Sequence, residues 1–375
     1  MTSLSWITLL AFVLSVAFSF CMAFRGLARE WYLIDLPDYR KRHEGAVPLC
    51  GGIAIFLSFF LTASLVKDGA GHADALVMMP GLTIILGTGV LDDRFRLPVT
   101  PRFAIQLFAA VLIIAMAGVQ QVFLDLNPSF IDDSGNIFAF ERLGGPFLLL
   151  FAVAFIVGLV NAVNMSDGVD GLAGSASAAS FFWLAVISFD IGEHRLGLQS
   201  LALVAACLGF LVFNMRHRWR AKASLFLGDG GSTLLGAALA GMVLILSSGR
   251  QAIAFPVLLW IVIVPVLDTL SLIVRRLAAR RSPFSADRQH LHHLLMDAEL
   301  TCGQTAIIVM ALNLIAGATA YTAIRLDLPG WLMALALLAP AMAHLAFILR
   351  CTRGPRIADP AQAAKPNITF PGTTT

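Results

Sequence analysis

The chain has 375 residues, of which 58% are hydrophobic and only 13% charged, and its mean hydropathy is +0.82. A soluble domain carries about 25% charged residues, so this composition excludes a soluble globular enzyme and favours a polytopic membrane protein with little soluble mass. The net charge of +3 is unremarkable, and no nucleic-acid partner is expected. The five cysteines are scattered without a CxxC pair, which indicates neither a disulfide framework nor a zinc site.

Eleven apolar segments are candidate membrane spans. In chain order they cover residues 4–24, 51–66, 76–91, 102–119, 147–163, 172–189, 197–213, 232–248, 252–274, 304–324 and 330–349. The first has no basic start and no convincing cleavage site, so we interpret it as a retained span rather than a signal peptide. These segments predict an all-α integral membrane protein, with a transmembrane domain over residues 1–350 and a disordered cytoplasmic tail over residues 351–375.

The distribution of lysine and arginine predicts the orientation of the spans. Alternate loops, including the C-terminal tail, hold 21 of the 26 basic residues, and the opposite loops hold five. Because cytoplasmic loops carry the excess of Lys and Arg, the N-terminus is predicted outside and the C-terminus in the cytoplasm. The longest exterior loop, residues 120–146, is predicted to form a small hairpin or a surface helix.

Four polar clusters interrupt the apolar segments, and this orientation places all of them on the cytoplasmic side. Carboxylates, amides and imidazoles are costly at membrane borders and usually serve a function there. In chain order the clusters contain Asp92 and Asp93; Asn164, Asp167 and Asp170; Phe226 and Asp229; and Arg288, His290, His292 and His293. Clusters that share one membrane face can build a single site.

The five aspartates of these clusters favour a divalent cation, because neighbouring carboxylates repel each other unless a cation or a proton intervenes. Mg²⁺ prefers oxygen ligands and keeps several waters while it bridges protein to phosphate, and Asn164 adds a neutral oxygen. Glycines beside Asp170 and Asp229 would let the backbone approach a phosphate closely. The alternative is that the acids cap helices or pair with Arg94 and Arg96.

The histidine cluster favours contact with an anion. His290, His292 and His293 follow Arg288 in an HxHH pattern. This spacing does not match a zinc-binding helix, in which two histidines four residues apart face the same way. A solvated basic loop that only sets the topology is the alternative interpretation.

Four residues have weaker interpretations. Lys41 and Arg42 could hold a lipid phosphate or headgroup, but simple positive-inside anchoring explains them equally well. Asp268 lies inside the ninth span, where a structural hydrogen bond is favoured over a place in a cavity lining. Phe226 could stack on a base, although ordinary aromatic packing is the default.

Five segments together resemble the polyprenyl-phosphate N-acetylhexosamine 1-phosphate transferases. They read KRHEGAVPLCGG, GVLDDRF, NAVNMSDGVDGLAG, FLGDGGSTLLG and SPFSADRQHLHHLL, and they follow the family's order over nearly the whole chain. The last segment is most similar to the WecA-type branch, which links GlcNAc 1-phosphate to undecaprenyl phosphate. The MraY branch usually carries a different histidine segment and a PTMGG-like stretch, where this chain has Pro48-Leu-Cys-Gly-Gly.

The resemblance implies an eleven-span helical fold with a cytoplasmic active site. It also implies Mg²⁺, with Mn²⁺ as a substitute, held mainly by Asp229 with Asn164 as a second ligand. The implied partners are a UDP-sugar donor, undecaprenyl phosphate and the lipid bilayer, with a homodimer left open. The implied location is the bacterial inner membrane.

The resemblance also assigns roles to individual residues. Asp92 and Asp93 would lie by the lipid phosphate, and together with Asp167 and Asp170 they are the expected catalytic acids. The expected donor-binding residues are Phe226 and Asp167 near the uridine, and Arg288, His290, His292 and His293 near the donor phosphates or sugar. Lys41 and Arg42 are candidate contacts of the lipid phosphate on the basis of their charge rather than of the resemblance.

The implied reaction transfers GlcNAc 1-phosphate from UDP-GlcNAc to undecaprenyl phosphate, releases UMP and initiates a lipid-linked surface glycan. The acceptor is a phosphate monoester with a second pKa of about 6, so direct attack needs little base strength. Asp92 would remove a residual proton or orient the acceptor. A covalent aspartyl-phosphate route stays open, because the acids are the same.

Three alternatives to this function remain. The donor could be another UDP-HexNAc or UDP-MurNAc-pentapeptide with the same chemistry. An ion-coupled transporter is the rival from another class, but carriers place their key charges near the bilayer midplane and often have repeated halves. Here most of the acids lie at one edge and the sequence shows no repeat. A catalytically silent membrane scaffold is the third alternative, and the intact acidic set argues against it.

Overall fold

The computed structural model describes residues 3–36, 45–65, 72–126, 141–218, 220–249, 251–280, 282 and 290–352. Within them the α-helices are α1 (Ser3–Leu27), α2 (Gly51–Leu65), α3 (Met79–Phe95), α4 (Val99–Met116), α5 (Gly145–Ser166), α6 (Leu172–Asp190), α7 (His194–Asn214), α8 (Gly228–Ser248), α9 (Phe255–Leu259), α10 (Ile263–Ala278), α11 (Leu291–Asp297), α12 (Cys302–Arg325), α13 (Gly330–Ala336) and α14 (Leu338–Thr352). Single 3-10 turns precede α3, at Ala75–Met78, and α10, at Trp260–Val262.

Ten helical segments of the described chain are long and apolar enough to cross a membrane. They are Ile7–Leu27, Ala75–Phe95, Val99–Met116, Gly145–Ser166, Leu172–Asp190, His194–Asn214, Gly228–Ser248, Phe255–Ala278, Cys302–Arg325 and Gly330–Cys351. Each corresponds to one predicted span, so the prediction of a helical integral membrane protein is confirmed. The remaining predicted span corresponds to α2, which is apolar but only 15 residues long.

Two short antiparallel sheets accompany the helices. Strand β1 (Ile34–Asp35) pairs with β2 (Val47–Pro48), and β3 (Gln121–Phe123) pairs with β4 (Arg142–Gly144). The second sheet joins the two flanks of the long loop for which a hairpin or surface helix was predicted, while the tip of that loop lies outside the described residues. Both sheets lie at helix ends, so the fold remains almost wholly helical.

Helix α8 is the central helix of the bundle. It contacts α2, α3, α5 and α6, and every residue from Gly230 to Ser247 is buried. Small residues permit this, because they allow helix backbones to approach closely. A side chain at Gly236, for example, would place its Cβ 2.7 Å from the Leu159 carbonyl oxygen on α5. The N-terminal end of α8, which carries Asp229, is therefore surrounded by the ends of other helices.

The ninth predicted span is broken where α9 gives way to α10. Pro265 has no backbone N–H and cannot complete the helical hydrogen bond to the carbonyl of Ile261, four residues earlier. That carbonyl accepts a hydrogen bond from Ser180 Oγ of α6 instead, at 2.8 Å. A 3-10 turn forms at the break, and α10 leads away from it with Asp268 in its second turn.

Contacts between helix ends define two ends of the bundle. At the end away from the four polar clusters, Glu193 accepts hydrogen bonds from the amides of His72 and Ala73, at 2.7 and 2.9 Å. At the same end Arg325 pairs with Asp190 at 2.8 Å. Because consecutive spans alternate in direction, the polar clusters meet at the opposite end.

Candidate active site

Asp93 of α3 caps the N-terminus of α8. Its Oδ1 accepts a hydrogen bond from the amide of Asp229 at 2.9 Å, and its Oδ2 accepts one from the amide of Gly230 at 3.3 Å. The first amides of a helix have no intrahelical partner and favour a negative charge. Gly228 has φ +76°, and a Cβ there would lie 2.6 Å from Asp93 Oδ2. A glycine is therefore required for this carboxylate to reach the helix end.

Arg102 of α4 connects the first and third clusters. It forms an ion pair with Asp92, whose side chain is only 6% exposed, and its Nη1 lies 4.0 Å from Asp229 Oδ2. Asp92 also accepts a hydrogen bond from the amide of Leu97 at 2.7 Å. Asp229 is 43% exposed, so of these two acids it is the one that a ligand can reach.

Asn164 joins the second cluster to α8. The hydroxyl of Ser232, one turn after Asp229, donates a hydrogen bond to Asn164 Oδ1 at 2.6 Å. Ser232 is completely buried, so this contact fixes the end of α5 against α8. The amide oxygen of Asn164 and the carboxylate of Asp229, the two metal ligands implied by the resemblance, therefore belong to one site.

The loop between α5 and α6 carries two further acids in different surroundings. Asp170 pairs with Arg216 and accepts a hydrogen bond from the amide of Ala223 at 3.3 Å, so it ties the loop to the segment after α7. Burial, and then the negative charges of Asp229 and Asp170, raise the pKa of Asp167 to about 7. Asp167 therefore lies within the electrostatic field of the other acids.

The histidine cluster contacts the same loop. A Cβ at Gly168 would lie 2.3 Å from His292 Nε2, so only glycine leaves room for this imidazole. His290 stacks on His292 with ring centroids 5.5 Å apart and planes 10° apart, and the centroids of His292 and His293 are 4.2 Å apart. The three rings form a continuous group beside the acidic loop.

Phe226 is held close to Asp229 by backbone pairing. Its amide donates to the Pro48 carbonyl at 2.8 Å, and its carbonyl accepts from the amide of Gly51 at 3.0 Å. The side chain is half-buried. This placement is compatible with stacking on a base.

The oxygen-rich donor set fits a hard divalent cation. Asp229 supplies an accessible carboxylate and Asn164 a neutral amide oxygen, and both are ligand types that Mg²⁺ prefers. Within the described ranges, no three carboxylate, imidazole or thiol side chains converge closely enough to hold a metal ion by themselves. An ion bound here would take its remaining ligands from water and substrate phosphates, as Mg²⁺ commonly does.

Contacts link the predicted site residues of α3, α5 and α8, and the histidine cluster adjoins the loop between α5 and α6. Lys41, Arg42 and Arg288 lie outside the described residues, as does the tail from residue 353. Sequence reasoning missed four supporting residues: Arg102, Ser232, Asn214 and Arg216. Arg102 and Arg216 were counted only as loop charges, and Asn214, which accepts a hydrogen bond from the amide of Gly171 at 2.7 Å, directly follows a predicted span and was given no role.

Fold and site together define a multi-pass helical membrane protein with an acidic, glycine-rich site at one end of its bundle. Comparison with known proteins identifies a family within this class. Residues 75–247 match the model of glycosyl transferase family 4. The chain is 35% identical to the undecaprenyl-phosphate α-N-acetylglucosaminyl 1-phosphate transferase of Escherichia coli O157:H7, over 82% of both chains. The protein of that name from Yersinia pestis is 32% identical over 90% of both chains. This chain belongs to glycosyl transferase family 4.

Proposed function

We propose that this protein transfers GlcNAc 1-phosphate from UDP-GlcNAc to undecaprenyl phosphate and releases UMP, which initiates a lipid-linked surface glycan. The observation that carries the proposal is the convergence of Asp92, Asn164 and Asp229 from three helices, joined through Arg102 and Ser232. The names of the related proteins support the same donor sugar and acceptor lipid.

We further propose that the protein crosses the bacterial inner membrane eleven times, with α2 as the short additional span. Its N-terminus would lie outside, and its C-terminus and active site would face the cytoplasm. Support comes from the loops, because 21 of the 26 basic residues lie on the side of the polar clusters. A nucleotide sugar is supplied from the cytoplasm, so the site must face inward.

The main electrostatic problem is that both substrates are anions. In this proposal Asp229 and Asn164 hold Mg²⁺, or Mn²⁺ in its place, which when bound would neutralise charge on the donor pyrophosphate. Arg102 contributes a second positive charge and contacts the acceptor phosphate. Asp92 orients Arg102 through their ion pair, and Asp93 holds the helix end that presents Asp229.

Direct attack is the favoured chemical route. An oxygen of the acceptor phosphate attacks the β-phosphorus of UDP-GlcNAc, the bond from that phosphorus to the bridging oxygen breaks, and UMP leaves. The ion pair of Asp92 with Arg102 favours an orienting role for Asp92 over a role as nucleophile. A phospho-enzyme trapped after addition of donor alone would overturn direct attack in favour of the covalent route.

A small apolar groove lies beside the site. It lies between α5, α6, α8, α10 and α12 with about 30 Å³ of enclosed space, and its walls include Leu172, Leu239, Val264 and Val309. His292 lies in its lining, so the groove extends from the histidine cluster towards the interior of the bundle. A space of this size holds about two water molecules, so the polyprenyl chain would lie outside it, against the lipid-facing side of the bundle.

One assay tests the proposed function. Purified protein in detergent, with UDP-GlcNAc, undecaprenyl phosphate and Mg²⁺, should release UMP without any sealed compartment, and EDTA should abolish the release. Asp229→Asn should reduce transfer by a factor of roughly 10² to 10³, the usual effect of losing one strong electrostatic group. Asp190→Asn, at the other end of the bundle, is the matched control and should retain activity.

Other outcomes would lead to other functions. Near-normal turnover by Asp229→Asn would contradict the assignment of the metal ligand. Preference for another UDP-HexNAc or for UDP-MurNAc-pentapeptide in a donor panel would keep the chemistry and change the substrate. Substrate movement that requires a sealed vesicle, without UMP release, would support the transporter instead. The homodimer remains a prediction, which a measurement of the size of the protein in detergent would test.

A further inference from the structure

Asp268 is a carboxylate inside a membrane-spanning helix, and it is engaged on both oxygens. Its Oδ2 lies 2.9 Å from His290 Nδ1, and its Oδ1 accepts a hydrogen bond from the amide of Leu291 at 2.8 Å. The two side chains are only 4% and 8% exposed. Asp268 of α10 therefore fixes both the imidazole of His290 and the first amide of α11.

A carboxylate inside a span is expensive and is usually retained for function. Asp268 lies seven residues before Arg275, which belongs to the last turn of α10. This spacing is about 10 Å along a helix, so Asp268 lies within the span rather than at its basic end. His344 of α14 also faces it, with its Nε2 4.0 Å from Asp268 Oδ1 and 3.1 Å from Ser271 Oγ. Helices α10, α11 and α14 thus meet around one acid.

The contacts continue from His290 to the acidic loop. His290 stacks on His292, and His292 fills the space that a side chain at Gly168 would need. Gly168 follows Asp167 directly. A change in the orientation of His290 would therefore be passed to the loop that carries Asp167.

From this geometry we infer that Asp268 is a positioning residue, which sets the orientation and tautomer of His290 for contact with the nucleotide-sugar donor. An ionised carboxylate only accepts hydrogen bonds, so it holds the proton on Nδ1 and leaves Nε2 as the nitrogen that can face the donor. The same logic orients metal-bound and catalytic histidines. The inference rests on the proposed function, because the donor contact belongs to it.

Two other roles for Asp268 must be separated from this one. Asp268 could act directly on the acceptor lipid. It could also serve only to hold α10, α11 and α14 together. The first role would change the KM for undecaprenyl phosphate. The second would change the stability of the protein and would not affect the KM of one substrate more than that of the other.

The kinetic test uses Asp268→Asn, which keeps the size of the side chain but offers only one acceptor oxygen to two donors. We expect the donor KM to rise about tenfold while the acceptor KM stays within about twofold. Asp268→Asn combined with His290→Ala should be no slower than His290→Ala alone, because Asp268 acts through His290. Asp190→Asn is the control for loss of an ion-paired carboxylate at the other end of the bundle and should change neither KM.

A spectroscopic test does not depend on the reaction. In ¹⁵N-histidine-labelled protein in detergent, His290, assigned with the His290→Ala variant, should carry its proton on Nδ1. In Asp268→Asn this population should shift towards the Nε2-protonated tautomer. If UMP is not released but the tautomer still depends on Asp268, the proposed function is wrong and the positioning role of Asp268 stands.

Three results would overturn the positioning role. They are an unchanged tautomer in Asp268→Asn, a rate loss in the double variant equal to the product of the two single losses, and a rise in the acceptor KM alone. A lower unfolding temperature in Asp268→Asn does not mimic the expected result, because general destabilisation alters neither the ratio of the two KM values nor the histidine tautomer.

Discussion

Arg102 is the residue on which the electrostatics of the site depend most directly. It neutralises Asp92, which is nearly buried, and it lies within 4.0 Å of Asp229, which is accessible. A buried carboxylate without a partner would be strongly unfavourable. The same guanidinium is well placed to contact an incoming phosphate, because arginine matches the geometry of phosphate oxygens.

Replacing Arg102 should lower both stability and transfer, because Asp92 loses its ion-pair partner and the site loses a positive charge. We expect Arg102→Gln to lower kcat/KM for the acceptor by a factor of roughly 10² to 10³, and Arg102→Lys to recover part of it. The measurement is UMP release at varied undecaprenyl phosphate. Arg94→Gln is the control, since Arg94 lies over the rings of Tyr32 and Phe95. Equal losses in Arg94→Gln and Arg102→Gln would refute a specific phosphate contact.

Sequence reasoning found the acids of the site but not this arginine, for a physical reason. Aspartates at the ends of apolar segments are costly wherever they point, so their presence alone indicates a function. An arginine near a membrane border is ordinary, because positive-inside loops contain many. Only the packing of α4 against α3 shows that Arg102 faces Asp92 while Arg94 does not.

At the scale of helices, the site depends on how closely α3 approaches α8. A Cβ at Gly89 of α3 would lie 2.4 Å from Gly230 Cα, whereas a Cβ at Gly87 would meet nothing within 4 Å. The close contact at Gly89 is with backbone, which cannot rotate away. This approach places Asp93 where it can accept hydrogen bonds from the first amides of α8.

The two glycines offer a matched pair of variants in one helix. Gly89→Ala should separate α3 from α8, lower stability by about 1–3 kcal/mol as overpacking does, and reduce transfer because Asp93 no longer reaches the amide of Asp229. Gly87→Ala should leave both unchanged or slightly raise stability, because alanine favours a helix. Thermal unfolding in detergent and UMP release measure the two effects. Similar behaviour of the pair would show that the close approach is unimportant.

The hydropathy pattern predicted the helices well but not their irregularities. Residues 252–274 were predicted as one span, and the structure divides them into α9, a 3-10 turn and α10. Pro265 alone does not predict the break, since prolines are tolerated in membrane helices when neighbours satisfy the freed carbonyl. Here the neighbour is Ser180, which lies far away in sequence. The position of Asp268 relative to His290 follows from that break and from tertiary packing.

At the scale of the whole molecule, orientation decides whether the proposed reaction can occur. The polar clusters share one end of the bundle, and that end must face the cytoplasm to meet a nucleotide sugar. The bias of basic residues predicts this orientation. Ala221 and Gln251 are exposed residues on loops at opposite ends, so they are suitable reporters of the two sides.

Single-cysteine labelling tests the orientation directly. Cys21, Cys50 and Cys207 are buried, so only Cys302 and Cys351 need replacement by serine before Ala221→Cys or Gln251→Cys is introduced. A membrane-impermeant maleimide should label Gln251→Cys in intact spheroplasts and Ala221→Cys only after lysis. UMP release by each variant confirms that the labelled protein is folded. Labelling of Ala221→Cys in intact spheroplasts would place the acids outside, where a cytoplasmic nucleotide sugar cannot reach them, and the proposed transfer would then be impossible.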